Sequence, residues 1–330
     1  MSGFPTFEPG KRRAILTDPE PERNFRFEAE KRKWPFGGLC GFRQWPRVAS
    51  CLSLQGARLC GFAKRGALAW SVIMLTPALC AAQPLVMLVQ PPVWAEEAKR
   101  FDARPFAEHL SRALGRSVVV RRSDDVLSHW RAVRSGRGFD MAFDEAPFTA
   151  WRISHRGFTV LAQVVQERRF AIVVRPRTLI TSPSDLGARR VAVPPPPSLA
   201  ALRLLNLFPD PVQAPVLVPV VARERALRAL STGQVSAIVL PIDAIAASPD
   251  LQIALETDAS PGRAFSVSTS ISSTQRRALL GLFARLATSA AGLRVFSQLA
   301  VERLQPVSNS VYEDAERLLK GTWGYKKDSN

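Results

Sequence analysis

Two adjacent carboxylates, Asp144 and Glu145, are the residues of this sequence whose position most directly suggests chemistry. They follow a short apolar run that predicts a buried strand. Paired carboxylates at the end of a strand can transfer protons or bind a polar ligand. The alternative is a solvated acidic turn that caps the next helix. The sequence alone leaves both interpretations open.

Enzyme signatures are missing from the rest of the sequence. It contains no GxSxG, GxxxxGK[ST], GxGxxG or HExxH motif. Its 3 histidines fall on predicted helices or at their ends, where a solvated side chain is the ordinary case: His109, His129 and His155. We therefore predict that the protein is not an enzyme, and we expect no catalytic residue, no metal site and no cofactor.

Three further positions are candidates for ligand binding. Ser198 follows the run VAVPPPP and opens a predicted helix, so its side chain and the backbone N–H groups that begin at Leu199 could bind an anion. A plain helix cap is the alternative. Trp94 and Arg175 each follow a predicted strand and could contact a ligand; the alternatives are a core tryptophan and a surface arginine.

Strands and helices alternate through the part of the chain that must position these residues. Apolar runs predict strands at 84–90, 116–122, 139–146, 159–165, 170–176, 189–197, 215–221, 235–241 and 263–271. Helical spacing predicts helices at 95–115, 126–136, 198–208, 223–233, 274–289 and 310–320. This order predicts an α/β fold with two mainly parallel sheets flanked by helices, and ligands of such folds bind beyond the carboxyl ends of the strands.

The chain is strongly basic, but its charge is dispersed. The 330 residues carry a formal charge of +17, and no run of five or more basic residues occurs. A nucleic-acid interface needs clustered charge, so we expect no nucleic-acid partner. The hydrophobic content of 46% is enough for a globular core.

An apolar run near residue 70 resembles a secretory signal peptide. Lys64 and Arg65 precede the apolar stretch 66–79, and Cys80 and Ala82 place small residues before a possible cleavage at Gln83. All 4 cysteines lie at or before this run, so the remainder tolerates an oxidising compartment. We predict a cleavable signal at 61–82 and a periplasmic location. An uncleaved membrane anchor and a buried helix are the alternatives.

The preceding segment, residues 1–60, is polar, contains scattered Pro and Gly, and shows no clear periodicity. We predict a disordered extension or one that is not part of the natural protein; a basic cytoplasmic tail is the alternative.

Several stretches together resemble the periplasmic phosphate/phosphite/phosphonate-binding proteins of ABC transporters. They include RPFAEHLSRALGRSVVV, RAVRSGRGFDMAFDEAPFTAW, FAIVVRPRTLITSPSDLGARRVAVPPPPSLAAL, ALRALSTGQVSAIVLP and RLQPVSNSVYEDAERLLKGTWGY. The resemblance covers residues 84–325 and rests on their order and spacing.

The resemblance implies a two-lobed, Venus-flytrap protein with the type II periplasmic-binding-protein fold. One lobe would comprise 83–167 and 257–330, and the other 168–256. A small-molecule ligand would bind in the cleft, and a monomer would deliver it to an ABC permease at the inner membrane.

The sequence departs from the family pattern around the expected pocket. Phosphonate-binding members have hydroxyl residues and a glycine where this chain reads PPPPSLAA, so only Ser198 matches. Phe148 or Thr149 takes the place of an aromatic residue with a hydroxyl. The nearby carboxylates would repel a bare dianion and would suit an amino-bearing or zwitterionic ligand better. We therefore predict a small phosphonate-like or zwitterionic ligand; a ligand unrelated to phosphorus is the alternative.

Three other functions fit parts of the sequence. A periplasmic ligand-sensing or adaptor domain that reports to a membrane receptor would share the fold. A hydrolase that uses Asp144 and Glu145 lacks an evident nucleophile with a paired base. A cytoplasmic regulator would need a DNA-binding segment, and none is evident.

Overall fold

The computed structural model of the chain describes residues 83–245 and 251–325. They belong to one compact unit, Thr76–Asn330. The predicted extension at 1–60 and the predicted signal peptide at 61–82 lie outside the described residues.

The described residues form strands and helices in alternation, as the apolar runs predict. The strands are β1 Leu85–Val89, β2 Val118–Arg122, β3 Met141–Asp144, β4 Thr159–Val164, β5 Phe170–Val174, β6 Arg190–Val193, β7 Val216–Pro219, β8 Ala237–Pro241, β9 Gln252–Glu256, β10 Ala264–Val267 and β11 Leu304–Pro306. The α-helices are α1 Ala95–Arg100, α2 Arg104–Leu114, α3 Val126–Ser135, α4 Ala146–Arg156, α5 Leu199–Leu205, α6 Arg223–Ser231, α7 Ser273–Thr288 and α8 Ala290–Gln298.

Two sheets organise these strands into two lobes. The first lobe contains a six-stranded sheet in the order β11-β4-β10-β3-β1-β2, and the second lobe a five-stranded sheet in the order β7-β6-β8-β5-β9. The predicted α/β, two-lobed class is confirmed. The predicted residue boundaries of the lobes stay predictions.

Both sheets are mixed, but most of their strands share one direction: β1, β2, β3 and β4 in the first sheet and β6, β7, β8 and β9 in the second. The predicted α/β fold with two mainly parallel sheets flanked by helices is confirmed. Strand β1 pairs in parallel with β2 and β3, and β6 with β7 and β8. Strand β10 runs antiparallel between β3 and β4, and β5 runs antiparallel between β8 and β9. Strands β5 and β10 each directly follow a passage of the chain from one lobe to the other, so no helix returns them to a parallel direction. Strand β11 also runs antiparallel to its neighbour β4.

The two segments that connect the lobes are joined to each other. Arg168 and Ser260 form an antiparallel bridge in which each backbone N–H donates to the other's carbonyl at 2.9 Å. The lobes also share one apolar cluster, which continues through Leu318 and Leu319 of the closing segment. The lobes are therefore connected both by hydrogen bonds and by buried apolar contacts.

The first predicted helix, 95–115, is two helices. Pro105 is the second residue of α2. Because a proline has no backbone N–H, inside a continuous helix it would leave the carbonyl four residues earlier without its donor. The break also lets the Asp102 carboxylate accept the Arg104 N–H at 2.9 Å. The predicted ends at Gly115 and Gly136 are confirmed, because both residues adopt the left-handed conformation with φ of 60° and 61°.

The carboxyl-terminal part contains elements that the sequence did not predict. Ser289 begins α8 by accepting the Gly292 N–H at 3.1 Å, and α8 turns 100° away from α7. The segment Asn309–Leu319 is a 3-10 helix rather than an amphipathic α-helix. In the described ranges no single helix is long and apolar enough to cross a membrane, and only the bent pair α7–α8 reaches that length and composition.

Candidate functional site

The carboxyl ends of β1 and β3 meet at the edge of the first sheet, where the antiparallel β10 begins. Gln90 connects them: its backbone N–H donates to the Phe143 carbonyl at 3.1 Å, and its side-chain oxygen accepts the Glu145 N–H at 3.1 Å. The guanidinium of Arg263 donates to the Gln90 carbonyl. Gln90 therefore contacts both Glu145 and Arg263 at this edge.

Asp144 lies in a closed network rather than in an open pocket. The carboxylate is 0% exposed and forms a bidentate ion pair with Arg152. Its oxygens also accept from Thr149 Oγ1 and from His129 Nε2, each at 2.8 Å. Both oxygens are thus occupied inside the first lobe, and the structure does not place Asp144 where a ligand could reach it.

The charges in this network are set by burial and by Arg152. Burial alone would raise the pKa of Asp144, but the Arg152 guanidinium and the His129 hydrogen bond hold it well below its usual range. Burial lowers the pKa of His129, against the opposing effect of Asp144. His129 is therefore neutral with its proton on Nε2, and Nδ1 accepts from Ser123 Oγ at 3.0 Å.

Phe148 and Thr149, the predicted aromatic position of the pocket, are both fully buried in the first lobe. The Phe148 ring stacks on Trp130 with ring centroids 5.9 Å apart, and the hydroxyl of Thr149 is used by Asp144. Neither side chain faces the cleft, because α4 directs this part of its surface towards the core.

Glu145 and Arg263 are different, since each keeps a buried polar atom without a partner. Oε2 of Glu145 and Nε of Arg263 have no hydrogen-bond partner among the described residues. Arg263 is 7% exposed, and its guanidinium lies 4.4 Å from the centre of the Phe143 ring. Burial lowers the pKa of Arg263, and the charge of Glu145 opposes this most strongly, although the two form no ion pair in the described part of the chain.

A small cavity lies between the lobes and is lined by charges of both signs. Its volume is about 180 Å³, and its walls include Glu97 of the first lobe, Arg168 of the connecting segment, and Arg223 and Asp243 of the second lobe. Nε of Arg168 and Nε of Arg223 are buried and have no partner in the described part of the chain. A second cavity of about 380 Å³ shares Arg168 and Asp243 with it.

Trp94 anchors the first lobe to the second. Its side chain is 1% exposed and packs in an apolar cluster with Val220 and Leu230 of the second lobe. The next residue, Ala95, donates its N–H to the Val221 carbonyl at 2.7 Å.

Arg223 extends this contact between the lobes. Its guanidinium lies 5.6 Å from the centre of the Trp94 ring and donates to Glu97 at 2.7 Å. Its backbone N–H donates to Glu96 at 3.0 Å. Trp94 is therefore a buried contact between the lobes rather than an exposed platform for a ligand.

Arg175 lies far from this cavity, and the direction of β5 explains why. Phe170 at the start of β5 pairs with Pro241 at the end of β8, so the carboxyl end of β5 lies at the opposite edge of the sheet. Arg175 is exposed there, next to Gly233. The sequence argument assumed a parallel strand.

Ser198 and Leu199 lie at the correct edge of the second sheet but do not form an open anion site. Both are buried. The Ser198 hydroxyl donates to the Pro194 carbonyl at 2.9 Å and accepts the Ala201 N–H at 3.3 Å. The loop 194–197 consists of prolines, which have no N–H to offer to an oxyanion.

Ser198→Ala is therefore expected to change stability rather than ligand affinity. Loss of the helix cap should lower the free energy of unfolding by about 1 kcal/mol. Urea unfolding measures the change in stability, and titration calorimetry measures the ligand affinity. A tenfold or larger loss of affinity at unchanged stability would instead assign the hydroxyl to the ligand.

The sequence search did not find the arginines that line the cavity. Arg168 and Arg223 belong to a chain with many dispersed arginines, so residue type alone does not single them out. Asp243 follows β8, and the strand-end rule that selected Asp144 applies to it equally. Among the described residues no group of three or more His, Cys, Asp or Glu side chains could hold a metal ion.

A two-lobed α/β protein with a charged cavity between its lobes has the architecture of the solute-binding proteins. A family model described as "ABC transporter, phosphonate, periplasmic substrate-binding protein" matches residues 95–312, which is more than half of the chain. The chain belongs to this family of periplasmic substrate-binding proteins of ABC transporters. It is a family of binding proteins, and its members work outside the cytoplasmic membrane.

Solved structures with the same fold have very different sequences. The binding protein component of an ABC phosphonate transporter from Pseudomonas aeruginosa is 15% identical with a TM-score of 0.56, covering 72% of this chain and 85% of that one. A Prochlorococcus marinus protein in complex with methylphosphonate is 13% identical with a TM-score of 0.58, covering 72% and 98%. A Xanthomonas citri protein bound to ATP is 14% identical with a TM-score of 0.58, covering 72% and 97%. No curated protein sequence matches this chain.

Proposed function

We propose that this chain is the exported solute-binding component of an ABC uptake system and that it binds a small zwitterionic solute between its lobes. The supporting observation is the cavity of about 180 Å³ lined by Glu97, Asp243, Arg168 and Arg223. Glu97 and Arg223 pair with each other at 2.7 Å, so Arg168 and Asp243 leave one charge of each sign for a solute that carries both.

The lobes are the moving parts of this proposal. One lobe comprises 83–167 and 257–330, and the other 168–256. They separate to admit the solute and close on it by bending at the two connecting segments. The contacts of Trp94 and Arg223 form when the lobes are closed.

The proposed partners follow from the family. The closed, loaded monomer docks on an ABC permease at the inner membrane, and neither nucleic acid nor a chemical step is involved. The signal at 61–82 directs export. The proline loop 194–197 argues against a bare phosphonate or phosphate as the solute, although solved relatives include one with methylphosphonate.

Two measurements on the full-length protein test this function. A thermal-shift screen with amino acids, betaines, polyamines, phosphate and alkylphosphonates should reveal at least one solute that raises the melting temperature, because a ligand at 100 times its Kd stabilises by about 2.7 kcal/mol. Cells that lack the gene should then fail to accumulate that solute. Undiminished uptake in those cells would contradict the transport role.

A further inference from the structure

We propose that one face of the first lobe, formed by Arg131, Arg134, Arg156 and Trp323, binds the anionic phospholipid headgroups of the cytoplasmic membrane. We call this surface the basic-aromatic face. The inference goes beyond solute binding and does not depend on the identity of the solute.

The arginines of the basic-aromatic face are separated in the sequence but adjacent in the fold. Arg131 and Arg134 lie on α3, and Arg156 is the last residue of α4. The Arg156 guanidinium donates to the Arg134 carbonyl at 2.8 Å. Charge that is dispersed along the sequence is therefore concentrated here by the fold.

Trp323 is the exposed aromatic residue of this face. Trp130 Nε1 donates to the Trp323 carbonyl at 2.9 Å, which fixes the Trp323 backbone next to α3. The Trp323 side chain is 65% exposed, and the guanidinium groups of Arg131 and Arg134 lie 5.6 Å and 5.3 Å from the centre of its ring. Every other tryptophan among the described residues is at most 8% exposed. The indole that remains at the surface thus lies among arginines.

The three arginines have no acidic partner in the described part of the chain. None of the ion pairs found there includes Arg131, Arg134 or Arg156. Arg134 and Arg156 lie instead over the buried rings of Trp130 and Trp151, at 5.7 Å and 5.4 Å from the ring centres. A ring covers one face of a guanidinium and leaves the N–H donors along its edge available to an anion.

Arginine and tryptophan together match the chemistry of a bilayer surface. Anionic lipid headgroups attract basic side chains close to the membrane, and tryptophan is enriched at the level of the headgroups because its ring is apolar and its N–H is polar. A free phosphate ion would need only the guanidinium groups and would leave the exposed indole of Trp323 unused. The pairing of charge with an exposed indole therefore favours a membrane surface, and binding there would hold the protein close to its permease.

Co-sedimentation with lipid vesicles tests the inference on the full-length protein. We expect vesicles made of equal parts of phosphatidylglycerol and phosphatidylcholine to bind it, and we expect the binding to weaken as NaCl is raised, because salt screens exposed charges. Vesicles of phosphatidylcholine alone measure the binding that does not depend on lipid charge.

Two double variants with the same loss of charge assign the binding to this face. Arg131→Gln combined with Arg156→Gln should weaken binding to the anionic vesicles by about 25-fold, at about 5-fold for each arginine near an anionic surface. Arg175→Gln combined with Arg225→Gln removes two exposed charges from the second lobe and should leave the binding unchanged. Both variants retain residues 1–82, so any membrane affinity of that segment is common to both, and their melting temperatures show that both are folded.

The indole is tested separately. Trp323→Ala retains all the arginines and should weaken binding to the anionic vesicles by about 5- to 10-fold, the scale of burying part of a large apolar side chain. This loss should depend less on NaCl than the loss in the arginine variant, because salt screens charge rather than apolar contact.

Three results would overturn the inference. Equal losses in the two double variants would show that net charge, rather than this face, binds the membrane. Equally tight binding to vesicles of phosphatidylcholine alone would show that lipid charge has no role. If the variant with Arg131→Gln and Arg156→Gln bound vesicles like the unaltered protein but lowered solute uptake in cells, the face would contact an acidic protein partner instead of the membrane.

Discussion

Asp144→Ala should lower the free energy of unfolding by about 3–5 kcal/mol at pH 7, because it leaves a buried Arg152 without its charge partner. The carboxylate is 0% exposed and both of its oxygens are occupied by neighbours in the first lobe. Its pKa lies well below the usual range, so it is fully ionised at that pH. Urea unfolding followed by far-UV circular dichroism measures the change.

The adjacent carboxylate provides the control for this variant. Glu145→Gln removes the same charge one residue later, where the structure shows no ion pair among the described residues, and should change the free energy of unfolding by only about 0.5 kcal/mol. A stable Asp144→Ala protein that had lost its ligand would assign Asp144 to the pocket and contradict the structural role.

Trp94→Ala should lower the free energy of unfolding by a similar amount, about 3–5 kcal/mol, because a large buried side chain leaves a cavity. The effect should also appear in the arrangement of the lobes, since Trp94 packs against Val220 and Leu230 across the cleft. Small-angle X-ray scattering at saturating ligand, where the lobes of the unaltered protein are closed, should show a larger radius of gyration for the variant.

An exposed tryptophan is the matched control. Trp323 is 65% exposed and contacts Arg131 and Arg134 through its ring. Trp323→Ala should cost less than about 1 kcal/mol and leave the radius of gyration unchanged. If Trp94→Ala preserves both stability and compactness but abolishes binding, Trp94 acts as a ligand platform after all.

The sequence predicts the order of strands and helices well because each strand is a short apolar run bounded by turn residues. It does not predict strand direction. Whether β5 and β10 run parallel or antiparallel depends on partners far along the chain, as in the pairing of Phe170 with Pro241. The sequence argument put Arg175 at the ligand site because it did not know that β5 runs antiparallel to β8.

The site was predicted only in part for a related reason. The strand-end rule found Asp144 and Glu145 together, but only the partners distinguish them. Arg152 lies on α4 and Ser266 on β10, and the Ser266 hydroxyl accepts from Arg152 at 2.9 Å. Nothing in the sequence marks either residue as part of the network around Asp144. Whether a carboxylate is free for a ligand is decided by such packing rather than by its position in the sequence.

The position of β10 in the first sheet determines the order in which the two lobes can finish folding while the chain is synthesised from its amino terminus. Strands β3 and β4 are separated by β10, so their facing edges have no partner until residues 264–267 have appeared. The second lobe takes all its strands from the continuous stretch 170–256 and can be complete before then. The first lobe, whose strands are the first to be synthesised, is therefore the last to complete its sheet. Its unpaired strand edges are the part of a nascent chain most exposed to wrong pairing.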